Sequence, residues 1–243
     1  MIDDLTALRL QLEWGADEAI GDVAVDRFAP AATPVRRIAP QAAPALPGAA
    51  SPSAARTMDE LLAEMAAFEA CALRNTAMQF VRPDGNPLSS LVILGDAPSS
   101  DDDRSGRAFS GVTGALVDRV LRTIDLDRGS LLLATLVPWR PPGNRRLSDS
   151  EVELCLPFIH RLLGIVRPQR LVLMGTQTVR AFAGVDSSIR RLRGRWFDVT
   201  VQNEQLTIAA LALPTPDQWL INAAAKQQLW SDLLRLRIAV TTG

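Results

Sequence analysis

Residues 91–109 read LVILGDAPSSDDDRSGRAF, and this stretch decides the fold. Its first four residues form an apolar run typical of a buried strand, and a helical pattern of apolar residues follows over about residues 113–124. The glycines, the acidic residues and Phe109 therefore lie in a loop at the carboxyl end of a parallel strand. Open α/β sheets bind their ligands at that end, so this loop is the first candidate for a functional site.

The same alternation of strand and helix continues along the chain. Apolar runs predict further strands at 131–137, 170–174 and 206–213, and helical patterns occupy 149–166, 177–182 and 222–236. Continuous apolar strands separated by helices indicate an α/β fold, a three-layer α/β/α sandwich whose central, mostly parallel sheet has about four strands. The loops after residues 94, 137, 174 and 213 would then form one working face.

Composition divides the chain into three segments. Residues 1–27 predict an N-terminal amphipathic helix segment, which is a candidate contact for a protein partner. Residues 28–55 are rich in alanine and proline and predict a flexible linker. Residues 56–243 hold the apolar positions of one α/β/α domain.

Charge and residue usage exclude several classes of protein. The 243 residues carry a formal net charge of −1, so DNA binding would need a local basic patch. No apolar run approaches the roughly 20 residues that span a bilayer, and no secretory signal is evident, so we expect a cytoplasmic protein of bacterial type. The single histidine, His160, argues against histidine-based hydrolases and most zinc enzymes, and no metal site is predicted.

Two arginine-rich loops predict such a local patch. Residues 138–146 read PWRPPGNRR and residues 190–196 read RRLRGRW, and each loop also carries a tryptophan. Arginines on loops at neighbouring strand ends fit a groove that holds the DNA backbone, although arginines scattered over the surface would give the same pattern. The candidate DNA contacts in these loops are Arg140, Asn144, Arg145, Arg193 and Arg195.

The loop before the last helix has two interpretations. Trp219 and Leu220 lie between the final strand and the final helix. Large apolar side chains at a loop tip can insert into a base stack, which makes both candidate DNA contacts. The same pair could instead form the first buried turn of the helix.

The first loop also leaves alternatives open. Asp96 follows the strand directly, so neighbouring backbone N–H groups can fix its carboxylate. The run Asp101–Asp103 could contribute to a site or could be a solvated loop or helix cap. Phe109 could present its ring to a planar ligand or could belong to the core.

Four motifs occur in a fixed order along the chain. They are GDAPS (95–99) with the acidic pair 102–103 and GRAFSG (106–111), WRPPGNR (139–145), LRGRW (192–196) and TPDQWLINAAAK (215–226). They resemble GEAPG with an acidic pair and GxPFxG, CRPPGNR, LRGRW and HPAYLLRNPAAK of the uracil-DNA glycosylases of the iron–sulfur, or family 4, type. The resemblance covers about residues 58–237 and implies the uracil-DNA glycosylase fold and DNA as the partner.

The resemblance implies roles for individual residues. Asp96 stands where the family has its acidic residue, and Phe109 where it has the ring that stacks on the base. Thr135 and Thr215 replace the base-reading asparagine and the motif histidine. A threonine hydroxyl cannot imitate a bidentate amide or carry a charge, so we expect looser discrimination for uracil or weaker chemistry. The expected catalytic residues are Asp96 and Thr215, and the expected base-binding residues are Gly95, Ala97, Phe109 and Thr135.

The resemblance also implies a [4Fe–4S] cluster held by four cysteines, and here the sequence departs from it. Cys71 and Cys155 stand at two of the ligand positions, and Phe68 and Trp139 stand at the other two. Because such a cluster normally needs four thiolates, we expect no cluster and no other cofactor.

Three functions are compatible with these observations. The retained acid, stacking ring and arginine loops favour a cluster-free DNA-repair glycosylase that flips uracil or another deaminated base and hydrolyses its N-glycosidic bond. The altered Thr135 and Thr215 leave open a degenerate homologue that binds DNA or a repair partner without catalysis. A third alternative is an α/β protein that acts on a nucleotide or small ligand.

Overall fold

One mixed sheet forms the centre of the molecule. The structure is a computed structural model that describes residues 54–184, 187–219, 221 and 223–241. Its strands are β1 (Asp84–Gly85), β2 (Leu91–Gly95), β3 (Leu132–Thr135), β4 (Arg170–Met174), β5 (Trp196–Val201) and β6 (Leu206–Leu213). They are ordered β1-β3-β2-β4-β6-β5 across the sheet. The four predicted strands are confirmed as a parallel inner set, and β1 and β5 pair antiparallel at the two edges.

Seven α-helices accompany the sheet in the described part of the chain. They are α1 (Met58–Ala67), α2 (Ser100–Ser105), α3 (Gly111–Arg122), α4 (Asp149–Val166), α5 (Thr176–Ala183), α6 (Ile189–Leu192) and α7 (Ala223–Thr241). Short 3-10 turns occur at Ala72–Asn75, Pro142–Asn144 and Pro216–Gln218.

The two faces of the sheet bury separate cores. Val92 and Leu94 of β2 pack with α1, α4 and α5, while Leu91 and Ile93 of the same strand pack with α3 and α7. Successive side chains of a strand point to opposite faces, so a strand buried on both sides must be apolar throughout. This confirms the predicted three-layer α/β/α sandwich.

The register of the inner strands brings their ends into line. Gly95 pairs with Thr135 on one side and with Met174 on the other, and Met174 pairs with Leu213. The loops that follow these four residues therefore open at the same edge of the sheet.

Three of the helices start with reciprocal caps. In each one a serine or threonine hydroxyl accepts a hydrogen bond from the N–H three residues on, and the acidic side chain there accepts from the cap N–H. The pairs are Thr57 with Glu60, Ser99 with Asp102, and Ser148 with Glu151. These acidic side chains thereby set where their helices begin.

The N-terminal predictions fall largely outside the described residues. The helix segment 1–27 and all of the linker 28–55 except its last two residues lie there. Ala55 corrects the linker boundary, because it is 2% exposed and its carbonyl accepts a hydrogen bond of 2.5 Å from Nε of Arg161. Among the described helices, none combines the length and apolarity that crossing a bilayer requires.

Candidate active site

A cleft of about 490 Å³ opens where the four inner strands end. Its lining includes the predicted residues Gly95, Asp96, Ala97, Phe109, Thr135, Asn144, Arg145 and Thr215. Loops after β2, β3 and β6 contribute these side chains, as expected for the carboxyl edge of a parallel sheet. The predicted catalytic and base-binding sets are thus brought together in one place.

The first turn of α5 holds the carboxylate of Asp96. Oδ1 accepts hydrogen bonds of 2.8 Å from the backbone N–H of Thr178 and 3.0 Å from its hydroxyl. Burial raises the pKa of Asp96 above its usual value, against hydrogen bonds from Thr178, Gln177 and Thr176 that favour the charged form. A partly desolvated carboxylate fixed by a helix start is suited to stabilise positive charge in the cleft.

Two glycines make room for the groups at the strand ends. A Cβ on Gly175 would lie 2.3 Å from the Asp96 carboxyl group, and Gly175 has a φ of +132°, which disfavours any other residue. A Cβ on Gly95 would lie 2.6 Å from Cζ of Phe109. The acid and the ring both depend on bare backbone at these two positions.

The ring of Phe109 forms part of the cleft wall and is 7% exposed. Its backbone adopts a φ of 53°, an uncommon conformation for a phenylalanine. Nη2 of Arg128 donates a 2.5 Å hydrogen bond to the Phe109 carbonyl, and Arg128 also pairs with Asp84 and Asp118. This network holds the ring from outside the cleft.

The two threonines that replace family residues occupy different environments. Thr135 is 8% exposed, and its hydroxyl donates a 2.8 Å hydrogen bond to the carbonyl of Val137. That bond uses the only proton that Thr135 could offer to a base. Thr215 is half-buried at the start of the turn Pro216–Gln218.

The acidic run after β2 has a structural role. Oδ1 of Asp102 accepts hydrogen bonds from the N–H and hydroxyl of Ser110, at 2.5 and 2.9 Å. Asp103 accepts from the N–H groups of Met78 and Gln79, and Asp101 pairs with Arg104 at the surface. The helix-cap alternative therefore describes this run better than a catalytic one.

The arginine loop after β3 reaches the cleft. Nε of Arg140 donates a 2.7 Å hydrogen bond to Asn144, beside the lining. Arg145 makes a bidentate pair with Glu151, at 2.6 and 2.8 Å, and this pairing lowers the pKa of Glu151 to about 2. The structure therefore gives Arg145 an internal partner that the prediction of a DNA contact did not include.

The second arginine loop lies beside a neighbouring depression that shares Thr176 and Gln218 with the cleft. Arg193 donates from Nε to the buried Asp232 at 2.6 Å, which ties the loop to α7. The prediction of Arg193 as a DNA contact did not include this internal pairing, and it stays a prediction. Arg195 is exposed and donates a 3.0 Å hydrogen bond to the carbonyl of Arg191.

Trp219, one residue of the predicted wedge, is buried and not exposed at a loop tip. Trp219 is 1% exposed, packs in the core under α7, and donates from Nε1 to the carbonyl of Pro214 at 2.8 Å. This corrects the DNA-contact assignment, because an indole that is buried and hydrogen-bonded is stabilised in the core. Leu220 lies outside the described residues.

The four positions at which the resemblance implies cluster ligands lie in one hydrophobic core. Cys71 and Cys155 are buried there with Trp139, and Phe68 packs against them. A hydrogen bond from Cys155 lowers the pKa of Cys71 to about 7, whereas the neighbouring Cys71 and burial raise the pKa of Cys155. Ring packing occupies the other positions, Phe68 on Phe158 and Trp139 on Phe80. Two thiols and two rings do not fit a group that takes four thiolates.

Sequence reasoning missed several residues of the cleft. Gly175, Gln177 and Thr178 follow β4 and surround Asp96, and Arg146 lines the cleft beside Arg145. The loop after residue 174 was predicted to belong to the working face, but no residue in it was assigned a role. The role of Arg128 leaves no signal in the sequence, since it acts through partners 10 to 44 residues away.

Comparison with known proteins agrees with this geometry. The family model described as "Uracil DNA glycosylase superfamily" matches residues 82–234. The chain is 32% identical over 111 residues to a type-4 uracil-DNA glycosylase of Pyrobaculum aerophilum, covering 46% of this chain and 57% of that protein. It is 27% identical to the type-4 enzyme of Archaeoglobus fulgidus over 65% of this chain and 81% of that one, and 26% identical to that of Sulfurisphaera tokodaii over 76% and 86%.

The family match covers more than half of the chain and includes the strands, the loops and the cleft described above. The motifs at the strand ends and the named relatives point to the same branch of that family. The chain belongs to the uracil-DNA glycosylase superfamily, and within it resembles the type-4 members.

Proposed function

We propose that this protein is a DNA-repair hydrolase that flips uracil, or another deaminated base, out of DNA and cleaves its N-glycosidic bond. The observation that carries the proposal is the placement of the Asp96 carboxylate and the Phe109 ring in one cleft. An extruded base needs a flat apolar partner, and the bond that is broken needs a negative charge beside the sugar. The cleft supplies both groups.

In this mechanism Asp96 acts on the sugar. The transition state places positive charge on the deoxyribose and negative charge on the departing base. A carboxylate held by the start of α5 stabilises the cation and orients the attacking water, and its contacts need no rearrangement during the reaction. The products are the free base and an abasic site.

Thr135 would discriminate between bases less strictly than an asparagine side chain at the same position. The hydroxyl of Thr135 donates its one proton to the backbone, so it can accept a hydrogen bond from the base but cannot donate one. Backbone N–H groups near Ala97 and Thr215 then supply the donation to the base oxygen. We therefore expect excision of hypoxanthine as well as uracil, with a narrow difference in rate.

We also propose that the enzyme works without an iron–sulfur cluster. The proposal rests on the ligand set, in which two aromatic rings and two buried thiols stand in place of four thiolates. Without a cluster, packing between α4 and the segment around Cys71 would hold these two parts of the chain together. The proposed setting is the cytoplasm, with DNA as the substrate and residues 1–27 as the contact for a protein partner.

An excision assay on Asp96→Ala tests the proposal. Single-stranded and duplex oligonucleotides containing uracil, hypoxanthine or a matched normal base are incubated with enzyme, and abasic sites are measured by alkaline cleavage. We expect product from the first two bases with the wild-type chain and a loss of at least about 10²-fold with the variant. Asp101→Ala is the matched control, because that carboxylate pairs with Arg104 at the surface.

A non-catalytic DNA-binding role is the second candidate. It is favoured by the occupied Thr135 hydroxyl and by a threonine in place of the motif histidine. Salt-sensitive DNA binding by the wild-type chain without any abasic product would select this candidate over the glycosylase.

A further inference from the structure

We propose that Arg146 contacts the DNA phosphate beside the extruded nucleotide, and that its neighbour Arg145 has a structural role. The inference rests on the proposed action on DNA and names the residue that holds the backbone. Both arginines line the cleft that contains Asp96 and Phe109. Their surroundings separate their roles.

The guanidinium group of Arg145 is held by partners within the protein. Both of its terminal nitrogens bond the Glu151 carboxylate, at 2.8 and 2.6 Å, and Nη1 also donates to the carbonyl of Arg146 at 2.9 Å. Glu151 in turn caps α4 through the N–H of Ser148. Moving Arg145 to a phosphate would leave a carboxylate of 9% exposure without its cation, and breaking such a pair is costly.

The backbone at Arg146 is fixed on both sides. Its carbonyl accepts the hydrogen bond from Arg145, and the next residue, Leu147, is clamped by the side chain of Gln177. Gln177 accepts from the Leu147 N–H at 3.0 Å and donates to its carbonyl at 2.8 Å. Gln177 belongs to the same first turn of α5 that holds Asp96. The backbone that carries Arg146 is therefore positioned relative to the catalytic carboxylate.

The side chain of Arg146 is available. The residue is exposed, and within the described residues it has no ion pair and no side-chain hydrogen bond. A guanidinium group is well suited to a phosphate, because its N–H groups match two oxygens at once. The main chain at Arg146 is already ordered in the free protein, so binding would reduce the conformational entropy of the side chain alone.

The charges of the cleft leave Arg146 as the lining cation that can meet a phosphate. The lining carries the carboxylates of Asp96, Asp102 and Asp217, and its cations are Arg145 and Arg146. Because Glu151 neutralises Arg145, Arg146 remains as the cation that opposes the acidic groups at the mouth. It offsets part of the negative charge that DNA would meet there.

Binding to a single-stranded oligothymidylate tests the assignment, since thymine is no substrate and phosphate contacts do not depend on sequence. Dissociation constants are measured over a range of salt concentrations for the wild-type chain, Arg145→Ala, Arg146→Ala and Arg119→Ala. Arg119 is a matched control, because it is exposed in the last turn of α3. We expect Arg146→Ala to weaken binding about fivefold at low salt and to reduce the salt slope by about 0.7, the value for one phosphate of a single strand.

The outcomes separate this inference from the proposed function. If the wild-type chain shows no salt-sensitive binding, the proposed action on DNA fails and the assignment fails with it. If the wild type binds and Arg146→Ala keeps the slope of Arg119→Ala, the assignment alone is overturned. A structural role for Arg145 predicts that Arg145→Ala keeps the salt slope and lowers the melting temperature. A reduced salt slope with an unchanged melting temperature in this variant would therefore also overturn the assignment.

Discussion

At the scale of single residues, the carboxylate of Asp96 depends on a side chain more than 80 positions away. Thr178 is fully buried, and its hydroxyl lies 3.0 Å from Oδ1 of Asp96 and 3.0 Å from the carbonyl oxygen of Gly175, the two acceptors of its one proton. It touches no solvent and has no place to contact a substrate. Thr178 is therefore a positioning residue, and the pH dependence of the reaction should report its loss.

Replacing Thr178 by valine keeps the shape of the side chain and removes the hydroxyl. Burial already raises the pKa of Asp96, and the loss of one hydrogen bond to the charged form raises it further. The reaction needs the ionised form, so activity disappears as the pH falls through this pKa, and in the variant it disappears at a higher pH. We expect about a tenfold loss at acidic pH and a smaller loss near neutrality.

The measurement is kcat/KM for base excision across the pH range, with Thr178→Ser as the matched variant. Serine keeps the hydroxyl and should restore the wild-type profile. A valine variant whose profile keeps its shape and merely drops in height would mean that Thr178 contributes only to packing.

His160 gives a second prediction at this scale. It is 5% exposed, its Nδ1 accepts from the N–H of Gln202 at 3.3 Å, and its Nε2 has no partner in the described residues. Burial lowers its pKa from 6.5 to about 4, so the folded state holds the neutral ring. The stability from this residue is complete above pH 6.5 and is lost as the pH falls towards 4.

Urea unfolding at pH 7 and pH 4.5 measures this effect. The wild-type chain should lose about 2 kcal/mol more of its free energy of unfolding between these two pH values than His160→Leu does. Equal losses in the two proteins would show that His160 does not titrate in this range.

At the scale of elements, a buried charge fixes the helix that covers one face of the sheet. Asp232 in α7 is 2% exposed and pairs with Arg193 and Arg235. The loop before β5 and the last helix are joined by this pair. Removing Arg193 would leave the buried Asp232 carboxylate with the longer, 3.4 Å pair to the half-exposed Arg235.

Arg193→Ala should therefore lower the free energy of unfolding by about 3 kcal/mol. Arg237→Ala is the control. Arg237 lies on α7, as Asp232 does, and its pair with Asp125 is exposed on both sides, so its loss should lower the free energy of unfolding by less than about 1 kcal/mol. Chemical denaturation monitored by tryptophan fluorescence compares them. If the two variants lowered the free energy of unfolding by similar amounts, Arg193 would have no special structural role. That result would favour its predicted contact with DNA.

The elements differ in how far the sequence predicts them. The inner strands were predictable because burial on both faces requires continuous apolar runs. Of the edge strands, β1 has two residues and leaves no pattern. Strand β5 alternates buried Val199 and Val201 with exposed Asp198 and Thr200, a half-buried pattern that a search for continuous apolar runs does not find.

The same limit applies to the site. Asp96 and Phe109 could be placed because they follow a strand, whereas Arg145 and Arg146 look alike in the sequence. Only the position of Glu151 in the folded chain gives one of them a partner. Trp219 likewise could be a wedge or a core residue until the carbonyl of Pro214 was seen to accept its N–H.

At the scale of the whole molecule, the proposed absence of a cluster should make folding independent of iron. The segment around Cys71 is held to α4 by apolar packing, in which Cys71 and Cys155 are both buried. We expect the purified protein to contain no stoichiometric iron. Its melting temperature under reducing conditions should be the same, within about 1 °C, before and after an iron chelator, because only metals bound to the native state stabilise it.

Iron analysis and thermal unfolding with and without the chelator check this expectation. The matched variant is Cys155→Ser, which should lower the melting temperature through lost packing and not through lost metal. Four iron atoms per chain, or a fall of many degrees on chelation, would contradict the prediction.

The network behind Phe109 has a genetic consequence. Arg128 joins β1, through Asp84, to α3, through Asp118, and its third bond fixes the carbonyl of Phe109. A random screen for alleles that lose base recognition should therefore recover substitutions at Arg128, although that side chain does not line the cleft. Second-site suppressors of such alleles should map to β1 and α3, the two elements that this arginine ties together.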